Sequence, residues 1–242
     1  MSPRLPDRRQ VRRAIPRPLR HLLYDISPGR RRRWRRNPGI ERVGDGAVAL
    51  TFDDGPDSDG TPAVLDALDA IESKATFFVV GEQLADHPEV ARAIGDRGHE
   101  LALHGMTHRR HDRLSLDEAR EELGAGVAAF EGVLGGRPRW YRPPYGGSSP
   151  ALATVCAELE LELAYWSSWG YDWEPLPAAE IARVVLRDLE GGTIVLLHDS
   201  PRYAEREDVR PTAEALAMIA AAARERGLRL GTLGAAAPGD DG

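Results

Sequence analysis

Two short stretches set the chemistry. HGMTH, residues 104–108, spaces His104 and His108 at i and i+4. On one helical turn, or a loop of similar pitch, both imidazoles face the same way and can grip one divalent ion. TFDDGP, residues 51–56, sets Asp53 and Asp54 side by side where the apolar run beginning at Ala47 stops at Gly55 and Pro56. Adjacent carboxylates repel, so the pair needs water, donors, a shared proton or a cation to persist. Alone, each stretch also reads as packing or ordinary turn chemistry. Together they supply a triad of two His and one Asp with open positions for water and substrate, a catalytic rather than structural geometry. A chain turning at Gly55 aims both carboxylates into one cavity: one ligates the ion, and the other takes a proton from a water that the ion acidifies.

Three further stretches fill the remaining roles. His198, in LLHDS, ends an apolar run and titrates in the range useful for protonating a leaving group. Asp172, if it reaches His198, orients it and favours its protonated form. RPPYG, residues 142–146, offers Arg142 as a planar partner for a carboxylate, and a stiff Pro-Pro segment that presents a backbone N–H to a developing oxyanion.

These residues must be brought together by the elements between them. AVALTF, ATFFVV, ELALH, WYRPP, ELAYWSS, TIVLLH and LRLGTL read as strands. TPAVLDALDAI, HPEVARAIGDRG, SLDEAREELGAGVAAFEGVLG, AAEIARVVLRDLEGG and VRPTAEALAMIAAAARERG carry apolar residues at helical spacing. Ser115 and Glu118 predict a capping box, and Gly135, Gly191 and Gly227 predict helix ends. Strand and helix in alternation predict a parallel sheet covered by helices, open or closed as a barrel. In a barrel the active site gathers at the carboxyl ends of the strands, where all five polar stretches fall.

The 242 residues suffice for one large α/β domain. The net charge of −6 hides an asymmetry: residues 1–36 hold 13 Arg against Asp7 and Asp25, so an acidic domain follows a basic, Pro-rich arm. The expected division is an arm over 1–43, flexible for want of apolar surface, a catalytic domain over 44–235 and a tail over 236–242. The first reading of the arm is a solvated leader; an anionic membrane surface is its candidate partner, ranked above nucleic acid because no stacking pattern or nucleic-acid motif accompanies it. No run reaches the ~18 apolar residues of a membrane span. Pro16, Arg17, Pro18 and Arg20 interrupt the one candidate for a secretory signal's apolar core. The single cysteine, Cys156, excludes an intramolecular disulfide.

The ordered set TFDDGP, HGMTH, RPPYG, Asp172-Trp173 and LLHD resembles the polysaccharide deacetylase family, the chitooligosaccharide deacetylase homology domain of carbohydrate esterase family 4, over roughly residues 47–233. The resemblance implies a distorted (β/α)7 barrel and metal-dependent N-deacetylation of an acetamido sugar, an oligosaccharide, polysaccharide or lipid-linked sugar. It makes Asp53 the base and Asp54, His104 and His108 the metal ligands. Arg142 braces the base, the Tyr145 backbone holds the oxyanion, and His198 is the acid tuned by Asp172. Trp173 and Leu196 shape the acetyl pocket. The implied ion is Zn2+, with Co2+, Ni2+, Mn2+ or Fe2+ as alternatives. Two positions depart from the family: Gly105 stands where Ser or Thr is common, and Trp169 where an Asp often begins the fourth motif. Trp166, Trp169 and Trp173 are candidates for an aromatic wall. The expected location is cytoplasmic or peripheral on the inner membrane face. The competing readings are a deformylase, amidase or esterase using the same site, and a non-catalytic carbohydrate-binding descendant.

Overall fold

The computed structural model describes residues 39–237, together with His21. The expected arm, apart from His21 and residues 39–43, and tail residues 238–242 lie outside the described residues.

The strands in chain order are β1 (Ala47–Asp53), β2 (Thr76–Val79), β3 (Glu100–Leu103), β4 (Trp140–Tyr141), β5 (Glu162–Leu163), β6 (Ser168–Trp169), β7 (Ile194–His198) and β8 (Arg229–Gly231). They form one parallel sheet in the order β5-β4-β3-β2-β1-β7-β6, with β8 joining the first half of β1. The helices are α1 (Gly60–Ala70), α2 (Gly81–Asp86), α3 (Pro88–Asp96), α4 (Leu116–Leu134), α5 (Pro150–Glu158), α6 (Ala178–Arg187), α7 (Arg210–Glu225) and α8 (Leu233–Ala236). This is the expected parallel sheet covered by helices, with the sheet open between β5 and β6.

β1 is the axis of the fold. All seven of its residues are buried, as expected of a parallel strand covered on both faces. Its register places Asp53 opposite both Phe78 of β2 and His198 of β7. Phe52 stacks on Phe77 at 5.2 Å between ring centroids, so the core fixes the strand end from which the carboxylates project. The long helix α4 starts at Ser115 with the full capping box to Glu118 and ends on Gly135 at φ 73°.

Three expected strands are shorter than their apolar runs. In WYRPP only Trp140–Tyr141 pairs, because Pro143 and Pro144 have no N–H to donate. ELAYWSS splits into β5 and β6, since the carbonyls of Ala164 and Tyr165 accept from the Arg142 side chain, at 3.3 and 2.8 Å, instead of serving only a strand ladder. LRLGTL leaves the sheet after Gly231, where Thr232 Oγ1 accepts from Ala235 N and opens α8. Helices α2, α5 and α8 were not expected. α2 and α8 are too short for periodicity to register. α5 carries a legible start, Ser149 as N-cap and Pro150 in its first turn.

Residues 39–43, placed by sequence within the arm, are fastened to the sheet. Ile40 forms a parallel bridge to Ala164 and Arg42 an antiparallel one to Thr193.

Candidate active site

The carboxyl ends of β1, β3, β4, β6 and β7, with the loops that follow, bring the five polar stretches to one end of the sheet. Asp53 closes β1, and Asp54 follows in the left-handed region at φ 86°, which breaks strand alternation and turns its carboxylate away from the extended path. The turn is pinned from two sides: Gly55 O accepts from Val80 N at 2.9 Å, and Gly55 N donates to Asp199 Oδ1 at 3.1 Å. Asp199 lies so close that a Cβ at residue 55 would meet its carboxylate, which explains the glycine. Thr61 donates to the other Asp199 oxygen at 2.6 Å. Burial, aided by the nearby Asp54 charge, pushes the Asp199 carboxyl up to about 7 against the Thr61 bond.

Arg142 is fully buried and serves both halves of the site. Its Nη1 donates to Asp53 Oδ1 at 2.7 Å and to Thr51 Oγ1 at 2.8 Å. The fork is therefore not bidentate on the carboxylate: its other two nitrogens hold the backbone of Ala164 and Tyr165. The Arg142 carbonyl accepts from His104 Nδ1 at 2.7 Å. That bond places the His104 proton on Nδ1 and leaves Nε2 as a lone pair, 3.6 Å from Asp54 Oδ1 and 3.7 Å from Asp53 Oδ2.

One ligand atom each from Asp54, His104 and His108 lies within 4.8 Å of the others. His108 Nε2 stands 3.1 Å from Asp54 Oδ1, which is buried and receives no well-aligned hydrogen bond. Burial lowers His104 to about 4, so its imidazole is neutral. Burial would raise Asp54, yet contact with His108 and the charge of His198 hold it at about 2. A neutral imidazole, an ionised carboxylate and a buried acceptor oxygen without a donor are the state in which these groups take a cation, so the residues fit a divalent ion.

Across the site, His198 Nδ1 donates to Asp172 Oδ1 at 2.9 Å, and the His198 backbone N–H donates to Asp172 Oδ2 at 2.9 Å. Burial works to lower His198, but the charge and hydrogen bond of Asp172, with Asp54 and Asp53 beyond, raise it to about 9. Two residues without a sequence signal complete this group. Thr212 donates to Asp172 Oδ2 at 2.9 Å, and Arg206 bonds Thr212, the His198 carbonyl at 2.7 Å and Asp172 at 3.4 Å. Both lie beyond the LLHDS stretch, where no spacing rule marks them.

The aromatic surroundings differ from the expected wall. Trp173 stands edge-on to His198 at 5.6 Å. Trp166 is buried against Gly146 and beside Arg142. Trp169 faces Tyr171. The rings against the metal-type triad are Tyr203, stacked on His108 at 4.1 Å, and Tyr145, edge-on to it at 4.7 Å. Tyr145 has φ 62° and is 58% exposed, the most open of the large hydrophobic residues among those described. Leu196 is buried in β7 opposite Thr51 and Trp169. Gly105, at φ 98°, has its missing Cβ position filled by the His111 ring, so a hydroxyl side chain at 105 is excluded as well as absent.

On one parallel α/β sheet the strand ends thus gather a three-residue group able to hold an ion, a carboxylate braced by Arg142 and an imidazole braced by Asp172. The polysaccharide deacetylase family model matches residues 41–164. A chitooligosaccharide deacetylase of Bradyrhizobium sp. is 36% identical over 203 residues, 81% of this chain and 92% of that protein. A peptidoglycan-N-acetylglucosamine deacetylase of Bacillus cereus is 33% identical over 154 residues; the match spans 64% of this chain and only 56% of that protein. A family 4 acetyl xylan esterase from Clostridium thermocellum, solved with a cobalt ion, superposes with a TM-score of 0.71 at 33% identity, covering 78% of this chain and 89% of that one. The chain belongs to the polysaccharide deacetylase family.

Proposed function

We propose that the protein removes N-acetyl groups from an acetamido sugar in a metal-dependent hydrolysis. The observation that carries this reading is the division of the Asp pair: Asp53 is clamped by Arg142, while Asp54 faces His104 and His108 with an oxygen that no donor satisfies. Asp54, His104 and His108 would hold the ion, Zn2+ first among Co2+, Ni2+, Mn2+ and Fe2+. When bound it supplies Lewis acidity, polarising the amide carbonyl and acidifying water. Asp53 acts as general base toward the attacking water, held in place by Arg142. The Tyr145 backbone N–H serves the oxyanion. His198, protonated beside Asp172, delivers a proton to the departing amine. Trp173 and Leu196 border the acyl pocket.

A panel of N-acetylated and N-formylated sugars, small amides and acetylated xylan tests the reading, followed as acetate, formate and free amine. Metal-dependent acetate release from an acetamido sugar is expected. Turnover confined to formyl or ester substrates would replace it, and no turnover by metal-loaded protein would favour a binding role. One relative is a chitooligosaccharide deacetylase and another a peptidoglycan-N-acetylglucosamine deacetylase, so the panel decides the sugar class.

For residues 1–36 we propose contact with anionic lipid, from their excess of Arg over Asp, and a peripheral or cytoplasmic site of action on a lipid-linked or soluble sugar. No described helix is long and apolar enough to cross a membrane. Sedimentation with anionic vesicles should be lost on deleting residues 1–36 and weaken with salt. Binding that ignores both would overturn the assignment.

A further inference from the structure

The loop between His104 and His108 has no regular secondary structure of its own, yet it must keep two imidazoles within reach of one carboxylate. Its outer side is held by α2, whose first N–H groups, Gly81 and Glu82, donate to the carbonyls of Gly105 and Met106 at 2.8 and 3.0 Å. Its inner side packs on α4, with Gly126 against Gly105 and Met106 and one buried acid, Glu122, beneath Thr107. Glu122, with only 4% of its surface exposed, has no role in the chemistry described so far.

Every contact of that carboxylate runs to the same loop or its continuation. Oε1 accepts from Thr107 N at 2.6 Å and from Thr107 Oγ1 at 2.9 Å, one residue before His108. Oε2 pairs with Arg109 at 2.8 Å, one residue after it. His111 Nε2 lies 3.2 Å from Oε1, while His111 Nδ1 meets the Tyr141 hydroxyl at 2.7 Å. The His111 ring in turn fills the space beside Gly105, one residue after His104. Glu122 thus bonds both neighbours of His108 and reaches the neighbour of His104 through His111.

We propose that Glu122 is a positioning residue for the candidate metal centre, setting His108 directly and His104 through His111; this rests on the metal-dependent reading above. A carboxylate withdrawn from water is retained here because it collects two hydrogen bonds from Thr107 and the Arg109 guanidinium, with His111 beside it bonded through Nε2 to the Thr107 carbonyl at 3.1 Å. Losing such outer contacts to a ligand-bearing segment characteristically weakens metal binding by about 10- to 100-fold.

The test uses the full chain stripped by chelation, titrated with Zn2+ against a chromophoric chelator and with Co2+ followed by its visible spectrum. Wild type, Glu122→Gln, Glu122→Ala and Glu100→Gln are compared, each first checked by circular dichroism in the ion-free state. Glu100 is the control: it holds Thr76, Trp140 and Gly234 at the opposite end of the strands. Glu122→Ala is expected to weaken Zn2+ binding by about 10- to 100-fold and to alter the Co2+ bands. Glu122→Gln, which keeps an acceptor for Thr107, is expected to fall between it and wild type. Glu100→Gln is expected to lower thermal stability with wild-type affinity and spectrum.

Wild-type affinity in a folded Glu122→Ala would overturn the proposal, as would equal weakening by Glu100→Gln. Should Glu122→Ala fail to fold, Glu122→Gln decides: wild-type affinity and spectrum there also overturn it. Absence of Zn2+ binding by wild type would instead overturn the metal reading itself, and the positioning role with it.

Discussion

Arg142 and His104 are joined through the arginine's own carbonyl, which accepts from His104 Nδ1 at 2.7 Å while the guanidinium of the same residue holds Asp53 at 2.7 Å. One residue therefore sets the tautomer of a proposed ligand with its backbone and the direction of the proposed base with its side chain. A substitution that spares the backbone separates the two. Arg142→Lys should retain metal stoichiometry and lose activity by about 10²-fold or more, because an ammonium cannot span Asp53, Thr51, Ala164 and Tyr165 at once. It should also unfold at lower temperature, since each buried acceptor left without its donor costs about 1–3 kcal/mol. Metal analysis, steady-state kinetics and thermal melts check this; undiminished kcat would refute it.

Asp53 and Asp54 are neighbours with different partners, and their substitutions should part accordingly. Asp53→Asn is expected to keep bound metal and lose about 10²–10⁴ in kcat, the range of general base catalysis. Asp54→Asn is expected to lose metal, with activity recovered in part by excess ion. Equal metal loss in both variants would contradict the division.

His198 carries a pH signature. Its folded value of about 9 lies above its ordinary 6.5, so the Asp172 contact contributes stability that is complete below about 6.5 and lost as pH rises through about 9. As the proposed acid it works when protonated, so kcat/KM should fall with rising pH, at or below pH 9 because a bound cation opposes protonation. Asp172→Asn should move that limb to lower pH. The checks are rate profiles and urea unfolding of chelated protein between pH 6 and 10, and a rate still rising through pH 9 would remove His198 from the acid role.

Much of this was legible in residue order. Parallel strands buried on both faces read as continuous apolar runs, which made β1, β2 and β7 plain, and the capping box marked α4. The proposed base, ligands and acid stood out because each follows a strand or lies in a dense motif. Glu122, Arg206 and Tyr203 did not, because an acid inside an amphipathic helix, or a ring and a cation in a loop, looks like surface until the fold supplies its partners. The broken strand at 164–167 was also hidden: what interrupts it is Arg142, more than twenty residues upstream.

The short bridge of Ile40 to Ala164 has a practical corollary for anyone trimming the basic leader. Ile40 N donates to the Leu163 carbonyl and its own carbonyl accepts from Tyr165 N, on the segment whose other carbonyls anchor the Arg142 guanidinium. A cut after Arg36 leaves that seam stitched. A cut at Val43 unpicks it, and the damage would travel through Tyr165 and Arg142 to Asp53 and be mistaken for a catalytic role of the leader.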